Sequence, residues 1–125
     1  MSNHKAIRPK TRKELYEKYN HRCAYCGCEI EYREMQIDHV KSVYANIDLK
    51  QTMTEDEMYS EGNLLPACRQ CNFYKSSMDL EMFRSRLSGI LMQNLQKMFQ
   101  YRLALKYGLI KESVKPIIFY FETLN

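Results

Sequence analysis

Two copies of the spacing C-x2-C, Cys23-Ala-Tyr-Cys26 and Cys68-Arg-Gln-Cys71, stand on either side of residues 27–67. Two residues between cysteines let one tight turn aim both sulfurs at a single ion, and two such turns complete a tetrahedron. Gly27 follows the first pair and supplies the backbone freedom that such a turn often uses. A chain of 125 residues supports one compact domain, so a staple across this loop decides much of what it can become. A closed set of four thiolates on Cys23, Cys26, Cys68 and Cys71 predicts a structural zinc ion rather than a catalytic one. Redox chemistry would need only one pair, and no thioredoxin-like pattern surrounds either. Cys28 reads as a spectator beside the site, and His4 and His21 as surface residues. Arg22 and Arg69 are candidates to offset the negative charge of a zinc tetrathiolate.

Composition narrows the class. No apolar run approaches a membrane span, and the polar N-terminus MSNHKAIRPK lacks a signal-peptide core. The expectation is a chain with no membrane partner that stays inside the cell, where reduced thiols favour metal binding over disulfides. Residues 1–28 carry seven Lys/Arg against two Glu, residues 29–61 three against nine acidic residues, and residues 62–125 nine against four. Two basic ends thus flank an acidic middle. That distribution permits a polyanionic partner such as nucleic acid, and it fits a solvated surface equally well.

Along the chain, residues 1–10 read as a mobile basic arm. Thr11-Arg-Lys-Glu14 is a capping box that predicts a helix from about Arg12 to Tyr19, burying Leu15 and Tyr19. Met35 to Val40 reads as a strand with Ile37 inward. Residues 45–62 look like an insertion, with a second capping box at Thr54–Glu57 and Gly62 as a helix stop. Leu64-Leu65-Pro66 predicts a short extended piece, followed by a helical turn from about Arg69. Leu80, Phe83, Leu87, Leu91, Leu95 and Met98 form the apolar stripe of one long helix, roughly Leu80 to Tyr107, with Asp79 as N-cap and Gly108 as its end. Ile117 to Phe121 reads as a short terminal strand or an extended strap over the core. The expected fold class is α+β.

The residues that the cysteines bracket say more. QIDHV carries Asp38 and His39, and EGNLLPACRQCNFYK carries Asn63, Asn72 and Lys75. The order CAYCG, DH, GNL, CRQCNxxK resembles the four-cysteine subgroup of the HNH nuclease family, over about residues 12–78. The resemblance implies a zinc-stapled ββα-metal finger at residues 11–78, with residues 79–125 packing on it or extending it. It further implies phosphodiester cleavage in DNA. By position, His39 would be the general base, Asp38 a ligand of a catalytic divalent cation, Asn63 the residue that orients the histidine, and Asn72 the third motif position, giving H-N-N. Asn72 and Asp38 are hard oxygen donors, which favours Mg²⁺ or Mn²⁺ there. Lys75 and Arg69 would hold DNA phosphate. Small free-standing members occur in phage gene sets, which implies a bacterial or phage-infected cytoplasm and a possible partner in packaging machinery.

The residue types suit that chemistry. A neutral imidazole can accept a proton near pH 7, and a divalent cation can neutralise charge on a phosphate. Adjacent Asp38 and His39 point to opposite faces of a regular strand, so a bend, or metal and water between them, is implied. Each residue has a plainer reading: a surface Asp-His pair, a turn at Asn63, a helix cap at Asn72, a solvated Lys75. Coincidence of all four inside one staple favours the nuclease. Two other classes compete with it. One is a non-catalytic zinc-stabilised nucleic-acid-binding module. The other is a cross-braced interaction domain, which usually needs eight ligands for two zincs, and two of the three histidines here are poorly placed to join the five cysteines.

Overall fold

The computed structural model describes residues 7–40 and 61–124. They fall in two compact units, one formed by Met1–Leu80 with Ile118–Asn125, the other by Glu81–Ile117.

Helix α1 (Pro9–Lys18) begins at a proline, with Arg8 extended before it at φ −62° and ψ 143°. Proline suits the first helical position, where its missing N–H costs nothing, and it holds the preceding residue extended. The start predicted near Arg12 is therefore corrected: Thr11 and Glu14 lie inside the helix. At the other end Asn20 and His21 adopt φ of 61° and 63°. Their N–H groups donate to Glu17 O at 3.1 Å and Tyr16 O at 2.9 Å. This is a Schellman closure with asparagine in the usual glycine position. Leu15 is fully buried and Tyr19 half-buried. Arg12 Nη2 donates to Tyr32 O at 2.8 Å and Met35 O at 2.7 Å, tying α1 to the entry of the sheet.

Strands β1 (Gln36–His39) and β2 (Leu64–Ala67) pair antiparallel, with Gln36 opposite Ala67, Asp38 opposite Leu65 and His39 opposite Leu64. Ile37 is not the inward residue of β1: Asp38 is buried, at 6% exposure, and Ile37 is only half-buried. A counter-charge inside the fold makes that reversal possible, as described below. Leu64, Leu65, Pro66 and Ala67 are all buried. The Pro66 carbonyl accepts the Ala24 N–H at 2.8 Å, which lays the first cysteine turn along β2. Helix α2 (Arg69–Lys75) follows, capped by Cys68, whose Sγ accepts the Cys71 N–H.

The terminal segment takes the strap form of the two expected. Tyr120 and Phe121 donate N–H bonds to Tyr25 O (3.0 Å) and Ala24 O (2.8 Å). The Glu122 carboxylate then captures the Phe119 N–H at 2.9 Å and turns the chain into a 3-10 turn, Tyr120–Thr123, which ends any strand.

The second unit is helical. In place of one long helix there are α3 (Leu80–Ser85), a π turn (Arg86–Ile90), α4 (Leu91–Gln96) and α5 (Phe99–Lys106). The break lies at Met98, extended at φ −80° and ψ 129°. Arg102 Nη1 reaches toward the Gln96 and Lys97 carbonyls, at 3.4 Å each. A side chain about one turn beyond Met98 thus helps the break to stand without proline or glycine. Of the predicted stripe only Phe83 is fully buried, while Leu87, Leu91 and Leu95 are half-buried and Met98 is exposed. Gly108, at φ 71°, closes α5 as predicted, its N–H on Leu105 O and that of Leu109 on Ala104 O. Thr54–Glu57 and all but the last two residues of the 45–62 insertion lie outside the described residues, as do His4 and most of the arm at 1–10. Glu61–Asn63 forms a 3-10 turn that delivers the chain to β2. No helix among the described residues is long and apolar enough to cross a membrane.

Candidate active site and metal centre

The two cysteine turns meet. The Sγ atoms of Cys23, Cys26, Cys68 and Cys71 all lie within 4.8 Å of one another, with Cys26 and Cys68 at 3.9 Å. Zinc–sulfur bonds of about 2.3 Å place the corners of a tetrahedron about 3.8 Å apart, so the cluster already has the size of a zinc site. Amide donors stabilise the sulfurs: Tyr25 N and Cys26 N point to Cys23 Sγ at 3.4 and 3.5 Å, and Cys71 N to Cys68 Sγ at 3.4 Å. Gly27, at φ 81°, lets the first turn close.

Crowded thiols cannot all ionise without a cation. A hydrogen bond from Cys71, ahead of other effects, lowers the Cys23 thiol to about 5. Burial raises Cys26 to about 12, and donation to Cys23 pushes Cys71 up further still. Cys23, Cys26, Cys68 and Cys71 would hold a divalent ion as four thiolates, and its charge would relieve this crowding. Cys28 is exposed, its thiol borders Cys26 and Cys68 at the rim of the cluster, and its carbonyl accepts the Cys23 N–H. Arg22 pairs with Glu29 at 3.5 Å and Arg69 with Glu34 at 3.3 Å, so both candidate counter-charges to the metal centre already have acidic partners.

The second constellation is built on β1. Asp38 and His39 occupy its end, and the ladder runs one step further through Val40 N–H to Asn63 O at 2.9 Å. That bond sets Asn63, itself buried, beside the histidine's strand end. Asn72 lies on the first turns of α2, one residue past Cys71, and is half-buried. Arg69 is exposed on the same helix.

Lys75 is not where a phosphate contact would need it. Its side chain is fully buried, with Nζ 3.0 Å from Asp38 Oδ2 and 3.1 Å from His39 O. The expectation of a solvent-facing lysine is corrected. Lys75 follows Asn72 by three residues and Cys71 by four, so it shares the inward side of α2 with a sulfur ligand. The spacing to Cys71 was the available signal.

Tyr25 escaped sequence reasoning altogether. Lying between the first two cysteines, it is 2% exposed and donates its hydroxyl to Asp38 Oδ2 at 2.5 Å. Its ring packs edge-on against Phe119 and Phe121 of the strap, at 5.2 and 6.2 Å. Burial first, and then the neighbouring carboxylate, push its phenol above the ordinary range, which keeps the hydroxyl a donor. Burial also raises Asp38, against the opposing pull of Lys75 and Tyr25. Nothing in a C-x-Y-C string marks the tyrosine as a partner of a residue on β1.

Among the described residues, the four cysteines are the one group of three or more His, Cys, Asp or Glu placed to hold a metal. Asp38, whose Oδ2 is engaged by Tyr25 and Lys75, belongs to no such group among the described residues.

Comparison with known proteins adds to this geometry. Residues 23–77 match the family described as HNH endonuclease. The structure is similar to part of the crystal structure of the Type II-C Cas9 enzyme from Actinomyces naeslundii, with a TM-score of 0.51 and 23% identity. That match covers 69% of this chain and 9% of the other, and at such identity it speaks for the fold alone. No curated protein sequence matches the chain. The family match thus runs from the first cysteine turn to just beyond α2 and takes in both cysteine pairs, β1 and β2.

Proposed function

We propose that this chain is a divalent-cation-dependent DNA endonuclease, in which His39 acts as general base on the attacking water. The observation that carries the reading is the placing of the Asp38–His39 strand end. It is gripped from α2 by Lys75 and joined through Val40 to Asn63, within a domain stapled by a cluster of zinc-site size.

The roles follow from residue chemistry. Water attacks phosphorus as His39 accepts its proton, the bond to the 3′ oxygen breaks, and the departing oxygen takes a proton from solvent. Asp38 and Asn72 would hold a Mg²⁺ or Mn²⁺ ion, which when bound supplies charge neutralisation at the phosphate and the leaving oxygen. Asn63 orients the histidine's strand end. Zinc on Cys23, Cys26, Cys68 and Cys71 is structural in this scheme, because four sulfurs leave no open position. Arg69, exposed on α2, remains the candidate phosphate contact, and it must exchange Glu34 for DNA to serve as one.

Conversion of supercoiled plasmid to nicked or linear forms, with Mg²⁺ or Mn²⁺ varied, tests the reading. His39→Ala should lose cleavage while keeping zinc and fold. If that variant cuts as well as the parent protein, the assignment fails. One observation favours a second reading, a nucleic-acid-binding module without cleavage: a buried ammonium already neutralises Asp38. Salt-sensitive DNA binding with no cutting under any divalent cation would select it.

A further inference from the structure

Two buried side chains converge on one oxygen of Asp38, and each comes from a cysteine turn. Tyr25 lies inside the first pair, and Lys75 follows the last cysteine by one helical turn. Lys75 also donates to the main-chain oxygen of His39. The strand end is thereby held at its carboxylate from two sides and at its backbone from a third.

We infer that Tyr25 and Lys75 are positioning residues for Asp38 and His39, transmitting the geometry of the cysteine cluster to the strand end where cleavage would occur. The inference rests on the nuclease reading for its consequence, but not for its geometry. Neither residue needs to touch DNA. Lys75 is fully enclosed and Tyr25 nearly so, and their polar atoms meet Asp38 and His39. A lysine kept only for solubility would be solvated, and a tyrosine kept only for packing could be phenylalanine. Burying an ammonium and a phenol hydroxyl on one carboxylate oxygen fixes that oxygen's direction. The main-chain N–H of His39 also bonds that carboxylate, which holds the two neighbours together at the strand end.

Tyr25→Phe is the cleanest variant, because it removes the hydroxyl and keeps the ring on Phe119 and Phe121. Lys75→Gln keeps a donor and removes the charge. Tyr16→Phe serves as control: it removes a tyrosine hydroxyl of the same unit that bonds Ile30 O instead of Asp38. Steady-state cleavage gives kcat and KM for DNA. The DNA-free protein gives the imidazole NMR signals of its three histidines, His39 assigned by His39→Ala. The expected result is a fall in kcat of about tenfold or more in Tyr25→Phe and Lys75→Gln, the equivalent of about 1.4 kcal/mol in the barrier. KM and zinc content should hold, and the His39 signal should shift. Tyr16→Phe should keep kcat and the His39 signal near those of the parent.

Parent-like kcat and an unmoved His39 signal in Tyr25→Phe would overturn the inference. So would a shifted signal with full kcat, or a lost kcat with an unmoved signal, since the latter gives the hydroxyl a direct role. If Lys75→Gln does not fold, Tyr25→Phe decides alone. If the parent protein cuts no DNA, the nuclease reading falls, and the His39 signal by itself decides whether the two residues position the strand end.

Discussion

Lys75 Nζ lies 3.0 Å from Asp38 Oδ2, an ion pair with the lysine wholly buried and the aspartate nearly so. Such pairs gain little over apolar replacements, because desolvation offsets attraction, but breaking one side leaves a buried uncompensated charge. Lys75→Met in the zinc-loaded protein should therefore cost about 3–5 kcal/mol of unfolding free energy. Adding Asp38→Asn, which can still accept from Tyr25, should recover most of that loss. Urea denaturation of the two single variants and the double variant checks the coupling. Additive effects would show that the pair contributes nothing as a pair.

The pattern of residues that sequence made visible has a physical cause. Cysteine spacing, the glycine signal at the Gly108 helix end and the short run Leu64–Pro66 are local, and local chemistry sets their geometry. The zinc-sized cluster and α2 could be read for that reason. The start of α1 shows two local signals in conflict, where Pro9 prevailed over the Thr11–Glu14 box. What could not be read depends on partners far along the chain. Asp38 is inward because Lys75 waits 37 positions later to neutralise it. Tyr25 is buried against Asp38 with strap residues 119 and 121 packed on its ring, a partnership that no local pattern announces. The break at Met98 carries no proline or glycine, and Arg102 eases it from outside the segment.

Metal removal should separate the two units. The cysteine cluster ties together residues at both ends of the 23–77 match, while the helices of 81–117 contain none of its ligands. Chelation with EDTA, or Cys71→Ser, should melt the first unit and abolish any cleavage, with circular dichroism retaining part of its helical signal. A thermal midpoint for Cys71→Ser equal to that of the parent would show the cluster to be dispensable.

Zinc loading should also be steeply pH-dependent. In the metal-free cluster burial holds Cys26 at about 12, and hydrogen bonding to Cys23 lifts Cys71 further, so both carry protons at neutral pH. Cys23, lowered to about 5, is already a thiolate there. Binding must expel at least the Cys26 and Cys71 protons, and apparent affinity should fall at least about a hundredfold for each pH unit lost between 8 and 6. Competition titrations against a chromophoric chelator, repeated across that range, measure the slope. A slope of zero would mean that the sulfurs do not bind the ion as thiolates.

The strap offers the sharpest test of how the finger is held shut. Phe119 is 2% exposed and meets the Tyr25 ring edge-on, and the next two residues donate main-chain bonds to the first cysteine turn. Removing so large a buried ring leaves a cavity, and Phe119→Ala should cost about 3–5 kcal/mol. The opened space would lie directly over Tyr25, so the hydroxyl that grips Asp38 should gain freedom as well. Phe119→Leu fills most of that volume and should cost clearly less, while still loosening the tyrosine. Unfolding free energies of the two variants, read beside the His39 imidazole signal, distinguish the effects. If Phe119→Leu recovers stability and leaves that signal unmoved, the strap acts on the fold alone. If the signal shifts in both, the strap reaches through Tyr25 to the histidine's strand end.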